Sequence, residues 1–589
     1  MCGIAGWAGD VGGDRGTLAR MCEALEHRGP DDLGLLVEPG RVALGFRRLS
    51  VIDLETGGQP IPDEAGAVQA TCNGEIYNFR ALRERLQNSG HRFQTKSDSE
   101  VIAHLYEEKG VDCLEELEGM FAIALWDKSR ARLLLARDRL GVKPLYWAPV
   151  GDGILYASEP GAILASGLVP PAPDRRALLD YLTLQYVPAP RSGFAGINKL
   201  APGERLVFEG GSHRVERYWS LNFAKPEPIG EEEAIEQLDA LLAQTTRERL
   251  VADVPLGAFL SGGIDSSLVV SYMAEAASQV KTFSIDFAHQ RFSEGEHARR
   301  VAKIYGTQHE ERLLSPEIEP LVADAVRFAG EPFADSSAIP TLLLSRATKQ
   351  QVTVALSGDG GDEAFAGYER YREVYSLRRR LATLGRPAAE RYAALMSHFQ
   401  PAELPPLCTP EFLAAAGPAD AAWRDSLQLP PLQGVDRFLA LDVATYLPGD
   451  LLLKVDRMSM STALEVRSPL LDRRLHEFAA KLPPRMKLRG KTTKWALKEL
   501  ARRRGLPDDL VDRPKQGFGV PVGSWLRREL RPWVEELLSA ERIAARGYFR
   551  PEPVRQLLRE HLDGSADNTY KLWNLAMLEL WHRTWIDAD

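Results

Sequence analysis

The sequence predicts two domains of different fold class: layered antiparallel sheets with flanking helices over 1–219, and an α/β domain with a parallel sheet over 230–589. At 589 residues, the chain exceeds what one hydrophobic core usually organises. Its first part shows short strands punctuated by glycine and proline, whereas its second part alternates helical stretches with short β-branched runs. Residues 222–230, with two prolines and a glycine, predict a linker.

Particular segments carry the prediction for the first domain. Strands are expected at Val42–Phe46, Phe121–Trp126 and Arg132–Ala136, and a helix is expected from Phe79 to Asn88. In the second domain, residues 371–432 are predicted to be helical and are rich in proline, and their sequence indicates no chemistry.

Composition excludes several classes of function. The net charge of −9 argues against a nucleic-acid partner held by bulk electrostatics. No apolar run approaches the ~18 residues of a membrane span, and no basic-then-apolar leader precedes the second residue. The five cysteines are odd in number and lack metal-ligand spacing, which predicts reduced thiols: Cys2, Cys22, Cys72, Cys113 and Cys408. We therefore expect a cytoplasmic protein without nucleic-acid or membrane partners.

Cys2, followed at once by Gly3, is a candidate nucleophile. Removal of Met1 would place a thiol and a free α-amine on one residue. An α-amine has a pKa near about 8, so it can accept the thiol proton around neutral pH. A cysteine at position 2 can also be an accident of a chain terminus, so this interpretation depends on the segments that follow.

Four further segments support a nucleophilic role for Cys2: His27–Asp31, Arg48–Asp53, Asn73–Asn78 and Ser97–Glu100. Together with the opening Met-Cys-Gly-Ile-Ala-Gly, they resemble the N-terminal-nucleophile glutamine amidotransferases. The resemblance implies an αββα sandwich of the N-terminal-nucleophile hydrolase type, in which the cysteine attacks the side-chain amide of glutamine.

The roles that the resemblance implies fit the chemistry of each residue. The Arg48 guanidinium suits the α-carboxylate of glutamine, and Asp98 and Glu75 can bind its α-ammonium. The Asn73 side chain and the Gly74 N–H are suited to the oxyanion that forms during attack. Singly, such residues also occur in surface salt bridges, hairpin turns and helix N-caps. Together they predict a glutaminase site.

Ser261–Ser267 reads Ser-Gly-Gly-Ile-Asp-Ser-Ser, after an apolar strand that ends at Leu260 and before a predicted helix. A Gly-rich turn of this kind presents backbone N–H groups and the positive end of a helix to an anion. It is not a Walker A loop, because no Gly-Lys-Ser/Thr follows. It resembles the pyrophosphate loop of the ATP pyrophosphatases, which implies a doubly wound parallel sheet and ATP as a substrate. A plain helix N-cap after a tight turn is the alternative.

The same resemblance implies residues for ATP and Mg²⁺. The candidate ATP-binding residues are Leu260, Ser261, Gly262, Gly263, Asp265, Ser266, Ser267, Ile285, Ser357 and Gly358. Ile285 lies on a predicted strand whose backbone meets adenine in this fold. Asp265 and Asp362 are the implied Mg²⁺ ligands. Asp362 lies in a second Gly-rich turn, where three acids within five residues need cations to balance their charge. Lys515 is the implied catalytic lysine, which neutralises charge on the acyl-adenylate.

Further segments extend the resemblance through the second domain: Glu331–Ser337, Tyr446–Asp450, Lys454–Met460 and Glu465–Asp472. On these motifs, the chain is identified as a member of the glutamine-hydrolysing asparagine synthetases of the bacterial class B type. The resemblance implies that ammonia, released at Cys2, travels through an internal apolar passage and attacks β-aspartyl-AMP, giving asparagine, AMP and pyrophosphate. It also implies a homodimer.

Asp359 leaves the carboxylate acceptor open. This position, implied to be catalytic, commonly carries glutamate in aspartate-specific relatives, and its loop resembles a subgroup that amidates other carboxylates, such as cell-envelope precursors or surface-polysaccharide sugars. A plain glutaminase, or an amidotransferase acting on a phosphosugar, would leave Ser261–Ser267 and Lys515 without a role. The sequence therefore favours asparagine synthesis, with another acceptor as the alternative.

Overall fold

The computed structural model describes residues 2–223, 228–287, 295–314, 317–376, 385, 387–418, 432, 434–514 and 517–587. Within these residues, strands before residue 218 form two six-stranded antiparallel sheets, and strands between residues 256 and 467 form a five-stranded parallel sheet.

The two antiparallel sheets contain twelve strands, numbered here in chain order. The first sheet has the spatial order β10 (Asn198–Lys199), β8 (Tyr146–Val150), β9 (Gly153–Ala157), β1 (Gly3–Ala8), β3 (Val42–Arg48) and β2 (Asp32–Glu38). The second has the order β12 (Ser212–Arg217), β11 (Glu204–Glu209), β7 (Arg132–Arg137), β6 (Gly119–Asp127), β5 (Val68–Ile76) and β4 (Ile61–Pro62).

Alternating side chains give the second sheet two buried faces. Ala124 and Trp126 of β6 lie in the core between the two sheets. Ile123 and Leu125 lie in a separate core with the apolar side chains of the helix Glu100–Lys109. Because successive residues of a strand point to opposite faces, one apolar strand supplies both cores.

The first sheet is covered in the same way on its outer face. Ile4 and Ala8 of β1 lie in the core between the sheets, whereas Ala5 and Trp7 share a core with apolar residues of the helix Arg15–Glu23. Helix, sheet, sheet and helix therefore follow one another. The predicted αββα sandwich is confirmed.

The parallel sheet has the order β15 (Gln308–Leu314), β14 (Lys281–Phe287), β13 (Leu256–Phe259), β16 (Val354–Leu356) and β17 (Glu465–Arg467). Helices bury both of its faces. On one face, Ala258 and Leu356 pack with the helix Ile264–Ala276. On the other, Ile285 packs with the helix Ala338–Lys349. The predicted doubly wound sheet is therefore confirmed.

The strand order reverses between β13 and β16. From β13 the chain proceeds through β14 to β15 at one edge, and it then returns to β16 and β17 on the other side. Ligands of open parallel sheets bind at the carboxyl ends of the strands beside such a reversal. Both Gly-rich turns of the sequence follow these two strands, so the topology places them side by side.

The α-helices of the described residues complete the fold. They are Arg15–Glu23, Phe79–Asn88, Glu100–Lys109, Pro160–Ala165, Arg175–Leu184, Glu231–Arg249, Ile264–Ala276, Gly295–Tyr305, Ile318–Ala329, Ala338–Lys349, Gly361–Phe365, Glu369–Glu373, Ala388–Met396, Leu404–Leu407, Pro410–Ala416, Asp436–Ala444, Leu452–Met460, Arg473–Lys481, Pro484–Lys487, Trp495–Arg503, Asp508–Val511, Val522–Arg527, Arg531–Leu537, Ala540–Arg546, Pro551–Asp563 and Thr569–Trp585. In this part of the chain, no helix has the length and apolarity needed to cross a lipid bilayer.

The elements predicted for the first domain agree with the structure. The helix has the predicted bounds Phe79–Asn88, and the three predicted strands lie within β3, β6 and β7. Residues 222, 223 and 228–230 of the predicted linker form neither helix nor strand. Short helices occupy the described residues between 387 and 418, as expected, whereas 419–431 lie outside the described residues.

Candidate active sites

Cys2 is buried immediately before β1, at the core between the two antiparallel sheets. Its backbone nitrogen donates a hydrogen bond to Oδ1 of Asn73 at 3.1 Å. Its sulfur lies 3.9 Å from the carbonyl oxygen of Leu49, and its own carbonyl accepts from Nε of Arg28 at 3.1 Å. Burial raises the pKa of the Cys2 thiol to about 11. The thiol therefore needs a base to become a nucleophile near neutral pH.

Asn73 and Gly74 lie on β5, which brings both oxyanion candidates to Cys2. Nδ2 of Asn73 donates to Oγ of Ser158 at 3.4 Å, and that hydroxyl also accepts from the backbone nitrogen of Ile4 at 3.0 Å. At Gly74, an added Cβ would lie 1.9 Å from the carbonyl oxygen of Met120. Glycine is therefore needed here for β5 to approach β6.

Glu75 and Asp98 form a buried acidic pair beside these residues. Oε1 of Glu75 lies 3.1 Å from Nη2 of Arg467, and Oδ2 of Asp98 accepts from the backbone nitrogen of Ile76 at 2.7 Å. Burial raises the pKa of Asp98 and holds that of Glu75 well above its usual range. A cation bound between these carboxylates would favour their charged forms, so the pair suits an ammonium group.

Arg48, at the end of β3, is buried and braces the loop that follows. Within the described residues, its guanidinium donates to the carbonyl oxygens of Ile52 at 3.4 Å and Leu54 at 3.5 Å, and also to that of Asp53. The structure thus brings Cys2 and Asn73 into direct contact, while the hydrogen bonds of Arg48 hold the neighbouring loop.

Two charged residues of β17 reach the same site, although the sequence assigned them no role. The fully buried guanidinium of Arg467 pairs with Glu465 at 2.6 Å and with Glu75 at 3.1 Å. It also donates to the carbonyl oxygens of Arg249 at 2.9 Å and Val251 at 2.7 Å. The sequence could have indicated these two residues, because opposite charges two positions apart lie on the same face of a short buried strand.

The second site lies where β13 and β16 end. The two strands pair in parallel, with Leu256 opposite Val354, so their following turns meet at one edge of the sheet. The contact is close: a Cβ added at Gly358 would lie 2.6 Å from the backbone nitrogen of Ser266. In the first turn, the Ser261 hydroxyl lies 3.2 Å from that of Ser266.

A cavity of about 520 Å³ opens over these turns. Ten residues singled out in the sequence line it: Leu260, Ser261, Gly263, Asp265, Ser266, Ile285, Ser357, Gly358, Asp359 and Asp362. Gly262 and Ser267 are not among the lining residues. Gly262 has φ +71°, where an added Cβ would lie 2.5 Å from Cβ of His297, and Ser267 is buried in the first turn of the helix. Lys515 lies outside the described residues, but Pro514 and Gly517 line the cavity.

Lys494 lies between the two predicted metal ligands. Its ammonium forms an ion pair with Oδ1 of Asp362 at 2.7 Å and another with Asp265. This lysine was not among the residues predicted from the sequence. It precedes the helix Trp495–Arg503 at the N-cap with φ +52°, a left-handed conformation. A cation opposes the helix dipole there, and both features disfavour lysine unless a function requires it.

A second lysine marks another part of the cavity. Nζ of Lys454 lies 2.7 Å from Oδ2 of Asp335 and 2.7 Å from Oγ of Ser337, and all three residues line the cavity. Nearby, burial raises the pKa of Asp450 well above its usual range, and its carboxyl accepts from Nε2 of Gln185 at 2.9 Å. This part of the cavity therefore offers an ammonium, a hydroxyl and a carboxyl group to a polar substrate.

Asp359 borders two cavities. Its carboxylate accepts a hydrogen bond from the Ser357 hydroxyl at 2.7 Å, and its backbone carbonyl accepts one from the Ser468 hydroxyl at 2.6 Å. Besides the large cavity, it lines a small one of about 10 Å³ whose other walls include Val142 and Lys143. Asp359 therefore lies between the ligand cavity and residues of the N-terminal sandwich.

An apolar cluster and a buried ionic network each join the sandwich to the C-terminal part of the chain. The apolar cluster includes Leu49, Val51, Met120, Val354, Met460 and Ala463, with Val142 packed against it. The ionic network contains Arg28, Lys143, Glu159, Asp456 and Arg457. Both combine residues from the sandwich with residues from the C-terminal part, so the two sites share one interior.

Comparison with known proteins adds independent findings. The family described as asparagine synthase matches residues 237–583, and the family described as glutamine amidotransferase domain matches residues 1–219. Glutamine-hydrolysing asparagine synthetase 1 of Bacillus subtilis is 34% identical over 96% of this chain and 93% of that protein. A putative glutamine-hydrolysing asparagine synthetase of Mycobacterium tuberculosis is 32% identical over 100% of this chain and 98% of that protein. Among solved structures, the allosteric regulatory enzyme of purine biosynthesis matches 54% of this chain and 81% of that chain. Its TM-score is 0.30 and its sequence identity is 17%, so it is too distant to bear on the fold.

Proposed function

Because the chain belongs to the glutamine-hydrolysing asparagine synthase family, we propose that it converts aspartate to L-asparagine, with glutamine as nitrogen donor and ATP as energy source. One observation carries the proposal: a buried cysteine site and a cavity bounded by two Gly-rich turns lie in one interior. The relatives named above are described as an asparagine synthetase and a putative asparagine synthetase, which favours aspartate over another carboxylate acceptor. Residues 1–219 would hydrolyse glutamine, and residues 230–589 would form the amide.

Glutamine hydrolysis begins at Cys2 once Met1 is removed. The freed α-amine, whose nitrogen lies 3.1 Å from Oδ1 of Asn73, takes the thiol proton, and the sulfur attacks the side-chain amide. The Asn73 amide and the Gly74 N–H stabilise the oxyanion. Collapse of this intermediate releases ammonia and leaves a glutamyl thioester, which water hydrolyses.

Substrate recognition at this site follows from its charges. The acidic pair of Glu75 and Asp98 binds the α-ammonium of glutamine. Arg48 binds the α-carboxylate, with its position fixed by the carbonyls of the loop 52–54. Arg467 holds Glu75 in place from the C-terminal part of the chain.

ATP binds in the large cavity. The N–H groups of the turn Ser261–Gly263 and the helix that follows favour the phosphates, and Ile285 lines the place for adenine. Asp265 and Asp362 fit Mg²⁺, because two carboxylates from different turns converge on one ammonium. Mg²⁺ would balance the phosphate charge during aspartate activation. Lys494 would add positive charge beside the same phosphates, and the family resemblance implies a similar role for Lys515.

Ammonia then passes from Cys2 to the activated aspartate. Leu49, next to the Cys2 sulfur, belongs to the same apolar cluster as Val142, which borders the small cavity beside Asp359. Apolar walls favour neutral ammonia over ammonium, since burying an unpaired charge is costly. We propose that this cluster forms the wall of the passage.

The separation of the two chemistries provides the central test. In Cys2→Ala, glutamine-dependent asparagine formation should disappear, while synthesis from added ammonium salts should persist. Cys22→Ala, which removes another buried thiol, is the matched control and should retain both activities. Loss of both activities in folded Cys2→Ala would contradict the two-site arrangement. Protein that retains Met1 should behave like Cys2→Ala, because its α-amine is blocked.

Two properties of the whole protein belong to the same proposal. The resemblance supports a homodimer, and a monomer in light scattering at assay concentration would contradict it. The reduced thiols and the biosynthetic role support a cytoplasmic location, which fractionation of the source cells can test.

A further inference from the structure

Four side chains that can ligate metals converge outside both proposed active sites. They come from the turn after β4, from the loop that follows the helix Phe79–Asn88, and from the helix Glu100–Lys109. These residues, here called the two-histidine cluster, are Glu64, His91, His104 and Glu107. Each offers one ligand atom, and the four atoms lie within 4.8 Å of one another.

Several distances between the ligand atoms suit a tetrahedral ion. Nδ1 of His104 lies 3.2 Å from Oε2 of Glu64 and 3.2 Å from Oε2 of Glu107. Nδ1 of His91 lies 3.2 Å from Oε1 of Glu64 and 3.5 Å from Oε2 of Glu107. An ion with four bonds of ~2.0–2.1 Å holds its ligand atoms about 3.3 Å apart. Three of these separations, from Nδ1 of His104 to Glu64 and to Glu107 and from Nδ1 of His91 to Glu107, join one atom per residue and are close to the edges of such a tetrahedron. The fourth reaches the other carboxylate oxygen of Glu64.

The outer nitrogens of both rings give a second, independent observation. Nε2 of the fully buried His104 lies 3.6 Å from Oε1 of Glu100, whose carboxylate is fixed by the backbone nitrogen of Gln94 at 2.6 Å. Nε2 of His91 lies 3.5 Å from Oε1 of Glu108. Histidines that bind a metal through one nitrogen usually direct the other N–H to a carboxylate or carbonyl. In both rings a carboxylate oxygen lies within 3.6 Å of the outer nitrogen, which is beyond hydrogen-bond length but close enough for such a partner.

The charge of the cluster also fits a divalent cation. Its two carboxylates approach the same nitrogen, Nδ1 of His104, which carries at most one proton. With both rings neutral, the side chains carry two negative charges, which one divalent ion balances. Two imidazoles and two carboxylates suit Zn²⁺ and its neighbours among the transition metals better than Mg²⁺ or Ca²⁺.

We propose that the two-histidine cluster is a structural site for one divalent transition-metal ion, with Zn²⁺ the ion that fits its donors best. Four protein ligands fill a tetrahedral shell and leave no position for a substrate, which distinguishes a structural from a catalytic site. The ion ties together three segments. Two of its ligands, His91 and His104, lie on either side of Asp98 in the chain, so the ion restrains the segment that carries Asp98.

The test uses the full-length Cys2→Ala protein, stripped of metal by chelation and kept in excess Mg²⁺. This background removes the reactive thiol, and Mg²⁺ occupies the oxygen-rich site of the ATP cavity. Titration with Co²⁺ should give the visible absorption of a tetrahedral ion, saturating at one equivalent, and Zn²⁺ should displace it. Zn²⁺ should also raise the melting temperature by several degrees.

Variants assign the signal to the cluster. His91→Ala and Glu107→Gln change partly exposed ligands, so they leave the buried ring of His104 in place. Each should lose the Co²⁺ absorption and the Zn²⁺-dependent rise in melting temperature. His213→Ala, which alters a histidine on the edge strand β12, is the matched control and should keep both.

Two outcomes would overturn the proposal. One is the absence of stoichiometric Co²⁺ or Zn²⁺ binding, which would identify the cluster as an ion-pair network of protonated histidines. The other is binding that His91→Ala and Glu107→Gln leave unchanged, which would place the ion elsewhere.

Discussion

At the level of single residues, Lys494 occupies a position that is energetically unfavourable for lysine, and such a position can indicate function. Its left-handed backbone and its place at a helix N-terminus both disfavour lysine, yet its ammonium joins Asp265 and Asp362 in the ligand cavity. The same two acids are the proposed Mg²⁺ ligands. The lysine therefore offsets the repulsion between two neighbouring carboxylates.

Lys494→Met should lower ATP- and aspartate-dependent pyrophosphate release by at least about 100-fold, because one preorganised charge at a reacting centre is typically worth about 10²–10³ in rate. Glutamine hydrolysis at Cys2 should change little. Lys491→Met, which alters an exposed lysine on the same loop, is the control. Normal pyrophosphate release from Lys494→Met would remove this lysine from the chemistry.

Asp359 is the residue that bears most directly on the acceptor. If aspartate is the acceptor, Asp359→Glu should keep or raise aspartate-dependent pyrophosphate release, since it restores the length common in aspartate-specific relatives. For a larger acceptor, the added methylene should crowd the site at a cost of ~1–3 kcal/mol, roughly ten- to a hundredfold in rate. Pyrophosphate release is measured at saturating ATP and ammonium. If neither the wild type nor Asp359→Glu releases pyrophosphate in the presence of aspartate, asparagine synthesis is rejected.

At the level of elements, the helix Leu452–Met460 connects the two sites. Lys454 points into the ligand cavity, whereas Asp456 pairs with Arg28 at 2.8 Å and with Lys143 at 3.4 Å. Arg28 in turn donates to the carbonyl of Cys2. Although burial opposes ionisation, Arg28 and Lys143 hold the pKa of Asp456 below its usual value. One helix thus relates the position of the nucleophile to that of the cavity lysine.

Asp456→Asn should destabilise the protein by about 3–5 kcal/mol, because it leaves buried cations without their partner. Urea unfolding measures this loss. Glu535→Gln, which breaks an exposed pair with Arg531, should cost less than about 1 kcal/mol. In Asp456→Asn, asparagine formed per glutamate should also fall; an unchanged product ratio would show that the network supports stability alone.

At the level of the whole molecule, the shared interior explains why the two chemistries occur together. The apolar cluster contains Leu49, which directly follows β3, Met120 of β6 and Val354 of β16. It therefore joins the sandwich to the parallel sheet. In the proposed passage, ammonia released near Leu49 would face apolar walls rather than bulk water. Coupling of the two activities is then a property of packing.

Val142→Phe should narrow the passage where it reaches Asp359, because Val142 lines the small cavity beside that residue. We expect less asparagine per glutamine consumed, while synthesis from added ammonium is retained. Val215→Phe, on the exposed face of β12, is the matched control. Both products are quantified in the same reaction, and an unaltered ratio for Val142→Phe would place the passage elsewhere.

Sequence alone determined the features that depend on neighbouring residues. The alternation that gives β6 two apolar faces, the glycines of the turn after β13 and the pairing of a thiol with an α-amine at Cys2 are all local. For this reason the predicted sandwich, the doubly wound sheet and the helix Phe79–Asn88 agree with the structure.

Only the tertiary structure decided which distant charges meet. Lys494 reaches Asp265 across 229 residues, and Arg28 reaches Asp456 across 428. Likewise, the two-histidine cluster depends on a turn, a loop and a helix coming together. Hydrophobic periodicity predicts which face of a helix or strand is buried, but it does not predict which element packs against that face. The partners of buried charges lie on the element that packs there, so they cannot be predicted from periodicity. The candidate nucleophile and the candidate phosphate-binding turn could therefore be predicted from the sequence, whereas the residues that join the two sites became apparent only from the packing.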